Sequence, residues 1–274
     1  MLELYQFEAS AYSEKVKLIL DYKQIPYKTT EVTPGVGQIE LFQMSGQRKV
    51  PVLKDGTDVI PDSTAIALYL DEKYPDRPVI PTDPRQKGLC LALEDWADES
   101  LGIQGRKAMI GAFSQHPNFR TALLPTATPD LVKTLVGAVP GDVLSILGMG
   151  VGFGPDDTKE ATRLLKQALE SLCLMLSDQP YLVGDQPTLA DFAVAGMTMY
   201  VKFPANQYVD LPEGICGKGV PGLADDISFQ PFFDWRDRLY ADYRQTREGG
   251  SRRWQWPYRD QYRVTYLAFL TLNA

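Results

Sequence analysis

Histidine is nearly absent: His116 is the only one in 274 residues. A histidine-rich metal site is therefore excluded, and a Ser-His-Asp hydrolase would have to be built on that one side chain. It sits in "FSQHPNF", a loop-like stretch with a neighbouring proline, and reads as a surface residue. Cysteine is scarce too. Cys90, Cys173 and Cys216 lie far apart and form no CxxC pair, which argues against a zinc ribbon and against a dithiol redox motif. No apolar run reaches the ~18 residues that span a bilayer. Met1-Leu2-Glu3-Leu4 lacks the basic-then-apolar layout of a signal peptide. Basic residues are outnumbered, 28 against 35 acidic, and the net charge of −7 argues against a nucleic-acid partner. What remains is the expectation of a soluble, cytoplasmic protein. Its 44% apolar fraction is enough for a sizeable core in one domain or two.

The periodic segments come in a definite order. Residues 2–7 alternate as a strand does, and Glu14 to Lys23 carries Val16, Ile19 and Leu20 at helical spacing. Tyr27 to Val32 is a second strand candidate. Val50 to Ile60 is two short apolar runs around Asp55-Gly56, a strong hairpin signal. "PDSTAIALYLDEKY" then reads as a helix, with Asp62 or Ser63 placed to cap it. Strand-helix-strand followed by hairpin-helix predicts a small mixed sheet covered by helices. Four prolines between Tyr74 and Arg85 mark a stiff linker. Beyond it the pattern is helical over Asp83 to Phe113, Asp130 to Leu147, Asp156 to Ser177, Thr188 to Val201 and Gln230 to Arg247. A β-containing unit followed by an all-helical one predicts two packed units, α/β then all-α. "PTLADFAVA" opens its helix with Thr188 and Asp191 in a capping-box arrangement, which by itself marks only a well-started helix.

The junction "YQFEASAYSEKVKLIL" hands a strand to a helix through two serines, with no glycine or cysteine. The first N–H groups of a helix are unpaired and its dipole is positive there, so an anion is favoured. Ser10 offers a hydroxyl at this point. Without a histidine base it is a poor nucleophile, but it can donate a hydrogen bond to a thiolate brought by a ligand, whose thiol would otherwise titrate near ~8.5. The plainer alternative is that Ser10 or Ser13 only caps the helix, and on this stretch alone capping is favoured. Two further features bear on the choice. "RKVPVL" places Pro51 at a strand start, which leaves the backbone groups of Val50 able to pair with an extended peptide. "PDSTAI" places an acid and a hydroxyl at another helix start, where N–H groups take a carboxylate and Asp62 takes an ammonium group. A ligand with a thiol, amides, a carboxylate and an ammonium is a γ-glutamyl peptide, glutathione.

The ordered set "SAYSEKVKLIL", "KVPVL", "DSTAIALYLDEKYP", "YLVGDQPTLADFAVA" and "FQPFFDWRDRL" resembles the glutathione transferase family over roughly residues 2–80 and 160–245. The resemblance implies a thioredoxin-like glutathione-binding domain at 1–76, a linker at 77–86 and a helical bundle domain at 87–247. It leaves an insertion near 116–155 and an extension at 248–274. Serine-type classes (theta, zeta and tau) place their catalytic serine six residues before the apolar position matched here by Val16, which is Ser10. Omega and related thiol reductases carry cysteine at that place, so serine disfavours disulfide exchange. By the same resemblance Val50 is the backbone clamp, Asp62 and Ser63 form the γ-glutamyl site, and Lys49 holds the glycyl carboxylate. Tyr5 is the runner-up donor, because other classes use a tyrosine near it. The implied function is conjugation of glutathione to a small hydrophobic electrophile, as a homodimer, in detoxification. The alternatives are a glutathione- or ligand-binding protein with little turnover, and a structural subunit that keeps the fold. "MSGQRKVP" lacks the family's usual Asn-Pro, and Asp62 stands where glutamate is commoner.

Two stretches lie outside that pattern. "LVKTLVGAVPGDVLSILGMGVGFGP" is apolar and glycine-rich. No strand precedes it and no Lys-Ser/Thr follows, so a phosphate loop is disfavoured. A buried helix with a loose end is the first reading, and a lid or partner surface the second. The arginine- and aromatic-rich residues 249–274 read equally as a docking tail for another protein or as a tail packed on its own domain.

Overall fold

The alternation in Leu2–Gln6 becomes β1, with Leu2 and Leu4 in the core. The computed structural model describes residues 1–32, 36–115, 138, 155–211 and 214–246. Within them β2 (Tyr27–Glu31) runs parallel to β1, and β3 (Val52–Asp55) and β4 (Asp58–Pro61) follow antiparallel, in the order β2-β1-β3-β4. The hairpin turns at Gly56, which adopts φ 62°, a conformation glycine takes without strain. α1 (Ala11–Tyr22) joins β1 to β2, and α3 (Ser63–Lys73) follows β4. This is a thioredoxin-like mixed sheet. One element goes beyond the expected order: α2 (Val36–Ser45) lies between β2 and β3.

After α3 the elements named among the described residues are helical: α4 (Pro84–Trp96), a π turn (Ala97–Leu101), α5 (Gly102–Gln115), α6 (Pro155–Met175), α7 (Leu189–Met197) with a 3-10 turn (Thr198–Tyr200), and α8 (Gln230–Tyr243). Asp83 caps α4 by accepting the N–H groups of Arg85 and Gln86 at 3.0 and 2.9 Å. At the start of α7 the buried Asp191 carboxylate accepts the Thr188 N–H, the Thr188 hydroxyl and the Leu182 N–H, each at 2.8 Å. That arrangement orders the loop ahead of the helix and is a folding feature. His116 and the tail at 249–274 lie outside the described residues, as do the helix expected over Asp130 to Leu147 and the glycine-rich stretch apart from Ala138 and Pro155. So does the insertion near 116–155, but for Ala138 and Pro155.

One large hydrophobic cluster runs through both halves, from Leu4 and Leu53 in the sheet to Phe192, Phe232 and Trp235 in the bundle. α1 is its centre and has eleven of its twelve residues buried. α7 crosses it closely at Gly196, where a Cβ would lie 3.0 Å from the Lys15 nitrogen and 3.1 Å from the Ala11 carbonyl oxygen. Burial from both sides forces every charge on α1 to find a partner. Glu14 and Asp21 are met by Arg244, just past α8, at 2.8 and 2.6 Å. Lys17 pairs with Glu14 at 2.8 Å.

Candidate functional site

The strand register gathers three chain segments at one end of the sheet. Tyr5 pairs with Val52, and Val52 with Pro61. The exit of β1, the entry of β3 and the exit of β4 therefore lie side by side. Ser10 follows the first, Val50 precedes the second, and Asp62 and Ser63 follow the third. α1 and α3 both begin here, so two positive helix ends face the same region.

Ser10 is the N-cap of α1. Its N–H donates to the Phe7 carbonyl at 2.9 Å, and its hydroxyl oxygen accepts the Ser13 N–H at 3.2 Å. Capping is thus realised, and it uses only a lone pair. The hydroxyl keeps a proton to give, because a serine is donor and acceptor at once. The side chain is buried, 6% exposed. Tyr5 packs in the smaller cluster of Val32, Leu41 and Val52. Burial, with Glu3 acting the same way, raises its phenol above the ordinary range.

Val50 is half-buried and precedes Pro51 through a cis peptide bond. Neither its N–H nor its carbonyl bonds to a described residue, so both are available to an extended peptide. Lys49 is exposed, and its carbonyl accepts the Gln47 side-chain amide at 3.1 Å. Asp62 is exposed and caps α3: one carboxylate oxygen accepts the N–H groups of Thr64 and Ala65 at 2.9 and 3.0 Å. The second oxygen remains. Its backbone stands at φ 76°, ψ 133°, strain of about 1–3 kcal/mol for a residue with a Cβ and of the kind that clusters at functional sites. Sequence reasoning missed this conformation; the only hint was that aspartate tolerates positive φ better than most residues.

Sequence reasoning also missed what holds Ser63. The Ser63 side chain is buried, with its oxygen 3.3 Å from the Asp98 carboxylate and 3.4 Å from Lys15 Nζ. Lys15 is wholly buried and bonds Glu94 and Asp98, the latter at 2.7 Å, and Thr64 at 3.3 Å. Burial raises the Asp98 carboxyl above its usual range against the pull of Lys15. Its other oxygen has no hydrogen-bond partner among the described residues. The helical half thus braces the start of α3 through a buried charged cluster. The open acceptor on Asp62, unengaged backbone at Val50 and a hydroxyl at Ser10 fit the ammonium, amides and thiol of glutathione. Among the described residues there is no group of acidic, cysteine and histidine side chains that could hold a metal ion, and no helix is long and apolar enough to cross a membrane.

Residues 4–78 match the N-terminal domain model of glutathione S-transferases, and residues 155–242 match the C-terminal domain model. The chain is 34% identical over 117 residues to pyrimidodiazepine synthase of Drosophila melanogaster, covering 41% of this chain and 44% of that one. It is 37% identical over 91 residues to a zeta-class glutathione S-transferase of Euphorbia esula, covering 32% and 40%. Each match thus spans less than half of the relative's length. The fold is that of human glutathione S-transferase T1-1, with a TM-score of 0.58 at 18% identity over 99% of this chain and 100% of that one. With both halves of the chain matched in order and the same two-part architecture in its structural neighbours, it belongs to the glutathione S-transferase family.

Proposed function

We propose that this chain is a serine-type glutathione transferase. The observation that carries the proposal is the register that brings Ser10, Val50 and Asp62-Ser63 to one end of the sheet. Val50 clamps the peptide backbone of glutathione. Asp62 takes its ammonium group, the Ser63 N–H at the α3 start takes the γ-glutamyl carboxylate, and Lys49 takes the glycyl carboxylate. Ser10 donates its hydroxyl proton to the sulfur, and the start of α1 adds a favourable potential, so the thiol ionises more readily than in water. The thiolate then attacks a small hydrophobic electrophile. A carbon–sulfur bond forms, and the leaving group departs with its bonding pair. We extend the proposal to a cytoplasmic homodimer acting in detoxification, with the division between the two units at residues 77–86.

The test pairs two measurements. Calorimetry is expected to give glutathione binding between micromolar and millimolar. A chlorinated nitroaromatic is expected to be conjugated with release of chloride. Binding without conjugation would move the protein to the carrier reading, and absence of both would leave only a structural role for the fold.

A further inference from the structure

Ser10 closes a tight turn. Its N–H donates to the Phe7 carbonyl at 2.9 Å, so Phe7, Glu8, Ala9 and Ser10 form a four-residue turn with Glu8 and Ala9 at the corner. Glu8 is the charged member, its side chain only 15% exposed, and it is bonded through both main chain and side chain. Its N–H donates to the Glu31 carboxylate at 3.0 Å. One carboxylate oxygen accepts the Asp210 N–H at 2.7 Å. The other accepts the Gln6 amide at 2.9 Å and Lys17 Nζ at 3.3 Å, and the same Gln6 amide donates to Glu31 at 2.7 Å. Burial works against the charge of Glu8, but Lys17, the Asp210 N–H and Gln6 outweigh it and lower the carboxyl to about 2. Glu8 is therefore an anion at neutral pH.

These contacts reach both halves of the molecule. Glu14, Lys17 and Asp21 are spaced three and four apart and share one face of α1. With Glu8 and Arg244 they form a line of alternating charge: Glu8 to Lys17 at 3.3 Å, Lys17 to Glu14 at 2.8 Å, Glu14 to Arg244 at 2.8 Å and Arg244 to Asp21 at 2.6 Å. Arg244 also donates to the Tyr208 carbonyl at 3.2 Å, two residues before the N–H that Glu8 accepts. Tyr208, Val209 and Leu211 bury that segment in the core. The turn that ends at Ser10 is thus pinned to α1 and to the helical half.

The charge of this acid is of the wrong sign to help a thiolate directly. A carboxylate two residues from Ser10 disfavours a second anion and, by charge alone, would raise a bound thiol. What Glu8 offers is placement. Resting on the function proposed above, we infer that Glu8 is a positioning residue, which locks the turn through Asp210, Gln6 and Lys17 and so sets where the Ser10 hydroxyl meets the glutathione sulfur. A donor moved by about 1 Å loses most of its hydrogen bond, and the thiolate loses that support.

The experiment uses the full chain, glutathione and the chlorinated nitroaromatic. Glu8→Gln keeps the shape but has one oxygen fewer, so a donor nitrogen meets either the Asp210 N–H or the Gln6 amide and Lys17. Glu8→Asp keeps the charge and shortens the reach by one methylene. The readouts are the pKa of the bound thiol, from thiolate absorbance, and kcat at about pH 6.5 and about pH 9.5, on either side of a free thiol's pKa. Both variants are expected to raise the bound thiol by about half to one unit, which gives a three- to tenfold loss of rate at the lower pH and little loss at the higher. KM for glutathione is expected to stay within about twofold, because Val50, Asp62 and Ser63 set it. A lowered bound thiol in Glu8→Gln, with an unmoved one in Glu8→Asp, would mean that Glu8 acts by charge alone, and it overturns the inference. So does an equal rate loss at both pH values with the thiol unmoved, the mark of a residue that serves only the fold. If Glu8→Gln does not fold, Glu8→Asp decides alone, and an unmoved thiol there overturns the inference. If Ser10→Ala leaves the bound thiol at its wild-type value, the role proposed for Ser10 fails and the inference with it. A shift in Ser10→Ala without one in either Glu8 variant sinks only the inference.

Discussion

Replacing Lys15 by methionine keeps most of the side chain's length and removes its charge. The ammonium group is wholly buried and pairs with Glu94 and Asp98, whose side chains are only 4% and 11% exposed. Taking one partner from a buried ion cluster leaves uncompensated charge, a loss of about 3–5 kcal/mol. For a chain of this size that corresponds to a fall in Tm of about 10 °C. The pH dependence carries a second signature. Burial already holds the Asp98 carboxyl above its unfolded value, and losing Lys15 raises it further. A carboxyl whose folded pKa is raised binds more protons in the native state, so the variant loses stability as pH rises above that of the unfolded carboxyl. The gap to wild type is therefore widest at neutral pH and narrows toward about pH 4. Urea unfolding at neutral pH and near pH 5 reads both effects, and Lys15→Met with Asp98→Asn is expected to recover part of the loss. Because the same cluster holds Ser63 and Thr64 at 3.4 and 3.3 Å, glutathione affinity is expected to drop as well. A loss below about 1 kcal/mol at neutral pH, or an equal loss at both pH values, would refute the placement of Lys15 as a buried partner of two carboxylates.

Asp62→Asn keeps an acceptor for the Thr64 and Ala65 N–H groups and tolerates positive φ. Stability should stay within about 0.5 kcal/mol, while calorimetry should show glutathione binding weakened by about 1.5–3 kcal/mol through loss of the charged partner. Arg244→Met strands the buried Asp21 carboxylate and leaves Glu14 with Lys17 as its charged partner; it should cost about 3–5 kcal/mol in urea unfolding. Arg244→Lys should rescue little, since a lysine cannot reproduce the two-pronged contact. Gly196→Ala drives a methyl into the α1 backbone and should lower stability by about 1–3 kcal/mol, read as a lower urea midpoint.

The sheet was legible because its strands alternate or carry a hairpin turn, signals that depend on near neighbours. α2 was not: Ile39 and Phe42 are 57% and 48% exposed, so its apolar residues mark no single core-facing stripe. Asp83 to Phe113 read as one helix, and the π turn at Ala97–Leu101 has no counterpart in a 3.6-residue pattern. In the site, the ends of β1, β3 and β4 could be named from chain order, whereas their meeting depends on strand register. Lys15 carries no distinguishing signal in the sequence, because its partners are 79 and 83 residues away. The strain at Asp62 was equally hidden, since residue type limits φ only weakly outside glycine and proline.

The central claim is that Ser10 stabilises the thiolate of glutathione. The direct measurement is a pH titration of the ultraviolet absorbance of the bound thiolate, in the wild type and in Ser10→Ala. Free thiols ionise near ~8.5. The wild-type complex is expected to titrate clearly below that, and the Ser10→Ala complex to move back toward it, with the lower limb of the pH-rate profile shifting equally. Coincident titrations in the two proteins, with a displaced one in Tyr5→Phe, would contradict the account and give the role to Tyr5.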